Sequence, residues 1–260
     1  MNAENLTISP IPIFQDNYIW CLTRPSQAAM AVVDPGDAAA VIDFATSNAK
    51  TLSTILITHH HWDHTDGIAI LKQKFPEARV IGPAYEAAKI EGLTELVEDD
   101  DSIVLPELEL ELQVLHVPGH TLGHIAYYQA PRLFCGDTLF SAGCGRLFEG
   151  SPEQMHQSLQ RLAQLPDDTE IYCTHEYTLA NLAFAREVEP TNQAVIAAQA
   201  ECRQRRNNQL PTLPSTLLHE KAINPFLRCQ EPELQTKYGT ESTEATFAAL
   251  RSAKDQFIPK

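Results

Sequence analysis

Apolar residues along the first two thirds of the chain come in short runs closed by turn residues, the pattern of strands rather than of long helices. "AAMAVVDPGD", "TLSTILIT", "ARVIGP", "ELELELQVLHVPGH", "HIAYYQ", "RLFCGD" and "EIYCTHEY" are such runs. Between them lie stretches with helical spacing: "DAAAVIDFATSNA", "HTDGIAILKQKFP" and "SPEQMHQSLQRLAQLP". The last opens with Ser151 as N-cap and Pro152 at the first helical position. Strands and helices therefore alternate, the order of an α/β fold. From Leu108 to Leu115 apolar and polar residues alternate, so one face is buried and the other wet, which predicts an antiparallel or mixed sheet. After about residue 177 every strong pattern is helical, in "YTLANLAFAREVEP", "NQAVIAAQAECRQRRNNQ" and "STEATFAALRSAKDQF", joined through the proline-containing "QLPTLPST". A helical C-terminal region is expected, and no internal repeat or low-complexity tract is present.

Composition changes this picture little. The 260 residues, 43% hydrophobic and 20% charged, suffice for one large domain or two. Charge says more: a formal net charge of -15 repels nucleic-acid phosphates and anionic membranes, so an anionic ligand needs a local cluster of cations. The N-terminus lacks a cationic start followed by an apolar segment, and no apolar run is long enough to span a bilayer, so a cytoplasmic location is expected. Six cysteines without CxxC pairing read as reduced, buried thiols.

The candidate chemistry begins at "THHHWDHTDG", Thr58 to Gly67, which packs four of the ten histidines and two aspartates into ten residues. So many imidazoles in one segment repel one another on protonation unless a metal holds them neutral. The segment follows the strand "TILIT" and belongs to the loop at its end. His120, Asp137 and His175 likewise follow strands, so four separate strands each present a histidine or aspartate. Three His, or two His with a carboxylate, make a catalytic zinc set with a position left for water. His60 sits between two candidate ligands and points the other way along an extended chain. His124 reads as a supporting residue, and His116, His156 and His219 as surface or hydrogen-bonded histidines. The helical two-His zinc motif is excluded, because it needs Glu where His61 stands.

"THHHWDH", followed in order by "PGHTLGH", "GDTLF" and "THEYT", resembles the metal motifs of the metallo-β-lactamase superfamily. "DNYIW", "VVDPGD", "FSAGCGRLFEG", "CTHEYTLANLAFAREVEP", "NPFLR" and "LRSAKDQF" resemble more closely its glyoxalase II branch, the hydroxyacylglutathione hydrolases, and the resemblance spans essentially the whole chain. It implies an α/β fold, a four-layer αβ/βα sandwich over residues 1–176, and a helical glutathione-binding domain over 177–260. It implies two divalent ions, zinc first and iron or manganese as alternatives. His59, His61 and His120 would hold one, Asp63, His64 and His175 the other, with Asp137 bridging. The implied reaction is hydrolysis of S-D-lactoylglutathione to D-lactate and glutathione by a metal-generated hydroxide, the second step of methylglyoxal detoxification, with Asp63 also orienting the hydroxide.

By the same resemblance Arg146, Phe148, His175, Tyr177, Arg251 and Lys254 contact glutathione. Two positions depart from the family pattern: Arg146 stands where Lys is common, and Phe148 where Tyr is common, which removes a hydroxyl. The "RQRR" segment, Arg203 to Arg206, reads as a solvated helix face. The alternatives are a glutathione persulfide dioxygenase with a single iron, a β-lactamase, and a metal-stabilised binding module without turnover. The full ligand set and the helical tail favour the hydrolase. A monomer acting on a small-molecule thioester, without nucleic-acid or membrane partners, completes the expectation.

Overall fold

The computed structural model describes residues 6–258; the first five residues, where the N-terminal reading begins, and residues 259–260 lie outside the described residues. The chain forms two compact units, the first running to His116 and taking in Gly123–Gln129, the second comprising Val117–Leu122 and everything from Ala130 on.

In the first unit β1 (Thr7–Ile13), β2 (Asn17–Thr23), β3 (Ala29–Val33), β4 (Thr51–Leu56), β5 (Arg79–Pro83) and β6 (Glu95–Val97) form a sheet in chain order. β1 to β3 pair antiparallel, and β3 to β6 pair parallel. Parallel neighbours need crossovers, supplied by α1 (Ala38–Ser47) between β3 and β4, and by α2 (Trp62–Thr65) and α3 (Ile68–Lys74) between β4 and β5. Asp37 caps α1 by accepting the Ala39 N–H at 2.8 Å. The apolar face of α1, through Val41 and Ala45, joins Ile19, Met30, Val32, Ile55, Ile57 and Leu71 in one buried cluster. A three-stranded antiparallel ribbon, β7 (Ser102–Leu105), β8 (Leu110–His116) and β9 (Ile125–Gln129), completes the unit. In β8, Leu110, Leu112 and Val114 are buried and Glu111 and Gln113 exposed, the alternation the sequence predicts.

In the second unit β10 (Arg132–Gly136) pairs parallel with β13 (Glu170–Cys173). Between them come the short hairpin of β11 (Leu139–Phe140) and β12 (Gly143–Cys144), and α4 (Pro152–Ala163). The capping box of Ser151 and Gln154 starts α4 at the residue the sequence marks. Five helices follow: α5 (Thr178–Val188), α6 (Gln193–Asn207), α7 (Leu217–Ile223), α8 (Pro232–Tyr238) and α9 (Thr243–Gln256). Leu182, Ala185, Val195, Ala198 and Ile223 bury one face of α5, α6 and α7 around Ala142 of the hairpin.

The region beyond residue 177 is not wholly helical. β14 (Ser215–Thr216) pairs antiparallel with β13, Ser215 opposite Ile171 and Thr216 opposite Glu170. Pro211 and Pro214 keep "PTLPST" extended, which leaves its backbone free to pair. The described cysteines are all free thiols, as expected, and only Cys202 is not buried.

Candidate functional site

In the first unit β4 delivers the histidine-rich segment to the sheet edge. The Thr58 N–H and hydroxyl both donate to the Asp34 carboxylate, at 2.8 and 2.7 Å. Asp34 ends β3 with φ 54°, the left-handed region that a short polar side chain tolerates. A Cβ on Gly36 would lie 2.0 Å from the Asp63 carbonyl oxygen, so only glycine lets the two loops pass. His59 to His61 precede the helix, and the chain then turns into α2, so Asp63 and His64 sit on a single helical turn rather than in the loop expected for the whole cluster. The turn is closed by the His64 N–H donating to the His61 carbonyl at 3.0 Å.

This folding gathers four of the candidate ligands. The His59 and His61 rings meet edge to face, with His59 Nε2 and His61 Nδ1 3.0 Å apart. Two nitrogens bound to one tetrahedral zinc at about 2.0–2.1 Å stand about 3.3 Å apart, so the pair fits two ligands of one ion. His64 Nδ1 lies 3.0 Å from Asp34 Oδ2. This is a close ion-pair distance rather than a hydrogen bond, and both ring nitrogens are buried. Nε2 of His64 is 3.6 Å from Asp63 Oδ2, and Asn17 Nδ2 donates to the same oxygen at 2.9 Å. His60 turns away as expected, its Nδ1 2.8 Å from Glu86 Oε2. His124 stacks on His59 with ring centres 4.6 Å apart.

In the second unit Asp137 and His175 follow the parallel neighbours β10 and β13 and leave the sheet at the same edge. One oxygen, Asp137 Oδ2, faces two imidazoles: His175 Nε2 at 3.3 Å and His120 Nε2 at 3.5 Å. His120 donates its Nδ1–H to the Arg146 carbonyl at 2.8 Å, which leaves Nε2 as the metal-facing atom. One carboxylate oxygen thus stands close to both imidazoles. Gly145 allows it: a Cβ there would lie 2.0 Å from the Asp137 carbonyl oxygen. The hairpin after Asp137 is held from the helical region. Glu220 accepts from the Ser141 hydroxyl at 2.8 Å and the Ala142 N–H at 2.7 Å, Asn224 Nδ2 donates to the Phe140 and Gly143 carbonyls, and Asn181 Nδ2 donates to the Ser141 carbonyl. Burial pushes the Glu220 carboxyl above the usual range against these stabilising hydrogen bonds.

A cavity of about 320 Å³ in this unit opens beside His120 and Asp137. Arg146, Arg251 and Lys254 supply positive charge to it, and Phe140, Phe148 and Tyr177 its aromatic walls. Tyr177 lies flat on His175, ring centres 4.6 Å apart. The cations differ. Arg146 is 59% exposed, with Nε 3.4 Å from Asp255. Arg251 is only 6% exposed and spends its guanidinium on the Cys144 carbonyl at 3.0 Å and Asp255 at 2.9 Å. Lys254 lies over the Phe184 and Phe257 rings, and burial, helped by Arg251, lowers its pKa to about 8.

Every candidate site residue thus falls in one of two groups: His59, His61, Asp63 and His64 in the first unit, and the rest in the second. Among the other histidines, His116 stacks on Tyr85 and His156 is buried against Phe247. The "RQRR" segment departs from the solvated face expected: Arg205 and Arg206 donate to the Pro211 and Leu210 carbonyls and pin the chain beyond α6. Sequence reasoning gave no role to Asp34, Glu86, Glu220 or Asp255. Asp34 carries a signal, an aspartate at a strand end before Pro-Gly; Glu86 and Glu220 act on residues 26 and 79 positions away and carry none.

Two family models match the chain: that of the metallo-beta-lactamase superfamily over residues 26–175, and that of the hydroxyacylglutathione hydrolase C-terminus over residues 176–257. Hydroxyacylglutathione hydrolase from Photobacterium profundum is 51% identical over 256 residues, 97% of this chain and 100% of the relative. The enzyme of that name from Nitrosomonas europaea is 48% identical over 258 residues, 97% of each. Among solved structures, a metallo-beta-lactamase from Staphylococcus aureus superposes with a TM-score of 0.65 at 21% identity, covering 95% of this chain and 66% of that one, a likeness of fold. The α/β fold with a helical C-terminal region therefore stands as the sequence predicts. Among the described residues no helix is long and apolar enough to cross a membrane.

Proposed function

Because the chain belongs to the hydroxyacylglutathione hydrolases, within the metallo-β-lactamase superfamily, we propose that it hydrolyses S-(2-hydroxyacyl)glutathione, S-D-lactoylglutathione first, to a 2-hydroxy acid and glutathione. This is the second step of methylglyoxal detoxification. The observation that carries the reading is the cavity in which Arg146, Arg251 and Lys254 stand beside His120 and Asp137: cations for a peptide carboxylate next to metal-ligating atoms.

The donor sets of both units fit divalent ions: His120 has one nitrogen engaged by a carbonyl and presents the other, and both ring nitrogens of His64 are buried. His59, His61 and His120 would hold one ion and Asp63, His64 and His175 a second, with Asp137 bridging; nitrogen and carboxylate donors suit zinc, and also iron or manganese. Such a pair, when bound, would supply hydroxide at neutral pH and a Lewis acid for the thioester carbonyl. The chain does the rest. Asp34 and Asn17 fix the ligand orientations, and Asp63 orients the attacking oxygen. Arg146 and Lys254 hold the glycine carboxylate of glutathione, Arg251 shapes the wall through Cys144 and Asp255, and Phe148, Tyr177 and His175 face the peptide. No acidic side chain is needed for the leaving group, since a thiolate with a conjugate acid near ~8.5 departs unaided.

Residues 1–176 form the catalytic part of this reading and 177–260 the glutathione-binding part, in a cytoplasmic monomer that binds neither nucleic acid nor membrane. The full set of seven ligands and the helical region speak against a mononuclear dioxygenase. The test is the loss of thioester absorbance with S-D-lactoylglutathione, comparing zinc-loaded with chelator-stripped protein. Fast turnover by the loaded protein alone is expected; none by folded, metal-replete protein would overturn the proposal.

A further inference from the structure

The middle residue of the triple histidine has no part in the metal reading, yet it has a partner of its own. Glu86 ends the 3-10 turn Ala84–Glu86 after β5, and its side chain is only 2% exposed. One carboxylate oxygen, Oε2, accepts both the backbone N–H of His60 at 2.6 Å and its ring Nδ1–H at 2.8 Å. The other, Oε1, accepts the Gly123 N–H at 3.1 Å. A Cβ on Gly123 would lie 2.4 Å from Glu86 Cγ, so the absence of a side chain lets the carboxylate close on this backbone. The next residue, His124, lays its ring on His59.

We infer that Glu86 is a positioning residue for the metal ligands His59 and His61, acting through His60 and Gly123. Residue 60 is the peptide joining the two ligands, and a carboxylate gripping both its N–H and its ring leaves little freedom to rotate about that peptide. Its second oxygen fixes the residue before His124, which packs on the His59 ring from the side. A single buried group thus limits both the separation of the two ligand nitrogens and the tilt of the His59 ring. Partners of this kind set the ligand geometry before an ion arrives. This also accounts for a third histidine that binds no ion: its ring supplies the second hydrogen bond.

The inference rests on the metal reading above, and the experiment separates the two. Zinc affinity is measured by chelator competition for wild type, Glu86→Ala, Glu86→Gln and His60→Ala, together with the thermal midpoint of each metal-free protein. Glu86→Ala is expected to weaken zinc binding about 10- to 100-fold. Glu86→Gln, which keeps a carbonyl oxygen toward His60, retains most of the affinity, and His60→Ala, which keeps the backbone bond alone, falls between. The inhibition constant of S-methylglutathione stays constant throughout. If Glu86→Ala does not fold, the ordering of wild type, Glu86→Gln and His60→Ala decides. Equal zinc affinity in all folded variants, or a loss fully matched by the metal-free midpoint, overturns the inference while leaving the metal reading intact. Wild type that binds no zinc overturns the metal reading instead.

Discussion

Lys254 offers the sharpest test of the substrate cavity. Its ammonium sits over two phenylalanine rings beside Arg251, and its pKa falls to about 8. An ordinary lysine, near 10.4, is charged up to pH 9 and beyond. Here the charged fraction drops from about 90% at pH 7 to about 10% at pH 9, because a lowered pKa means the proton is lost as pH rises through 8. If the ammonium holds the glutathione carboxylate, the affinity it contributes is lost over the same interval. The affinity then falls by up to about tenfold, or about 1.4 kcal/mol. Arginine keeps its charge at any of these pH values. The assay is the competitive inhibition constant of S-methylglutathione from pH 6.5 to 9, in wild type and Lys254→Arg. Wild type should weaken through pH 8, with kcat following a different profile, and the arginine variant should stay nearly flat. Titration of the glutathione amine is common to both proteins and cancels. Parallel curves would refute the assignment of Lys254 to the carboxylate.

Further outcomes follow from other contacts. Phe148→Tyr restores a hydroxyl at the exposed rim of the cavity and should lower KM two- to fivefold with little change in kcat, about 0.4–1 kcal/mol; steady-state kinetics would check it. Gly145→Ala places a Cβ against the Asp137 carbonyl, so zinc content and turnover should both fall sharply, read by metal analysis of the purified variant. Glu220→Leu strands the Ser141 and Ala142 donors in a dry interior and should cost about 3 kcal/mol, a drop of ~6–12 °C in Tm by calorimetry. Burial lowers the pKa of His156, so the unfolded chain binds its proton more readily than the folded one. Its contribution to stability is full above the unfolded value near 6.5 and is lost as pH falls from there through the lowered folded pKa, and His156→Leu should flatten that part of the stability curve measured by denaturant unfolding.

Much of this molecule was legible in its residue order. The alternation at Leu108–Leu115 predicts the half-buried β8, the Ser-Pro start predicts α4, and the position of each candidate ligand after a strand predicts its arrival at a sheet edge. What could not be read lacks a local signal. Glu86 acts on residue 60 and Glu220 on the hairpin at 141–142, through burial created by the fold itself, and an isolated glutamate in a sequence looks like any solvated one. β14 was hidden for a related reason: two residues are too few for a periodicity, and their extended shape is imposed by the prolines around them. The sequence pattern puts Asp63 and His64 in a loop because one helical turn leaves no repeat to detect.

The pairing of β14 with β13 has a consequence for how such a chain can be divided. His175 lies two residues past the strand that β14 borders, and the hairpin following Asp137 hangs from Glu220 and Asn224. A protein cut near residue 176 would keep all seven candidate ligands in its sequence and lose the neighbours that hold two of its loops in shape. It would also expose an unpaired strand edge, an invitation to intermolecular pairing. The terminal segment is therefore part of the support of the loops that carry Asp137 and His175.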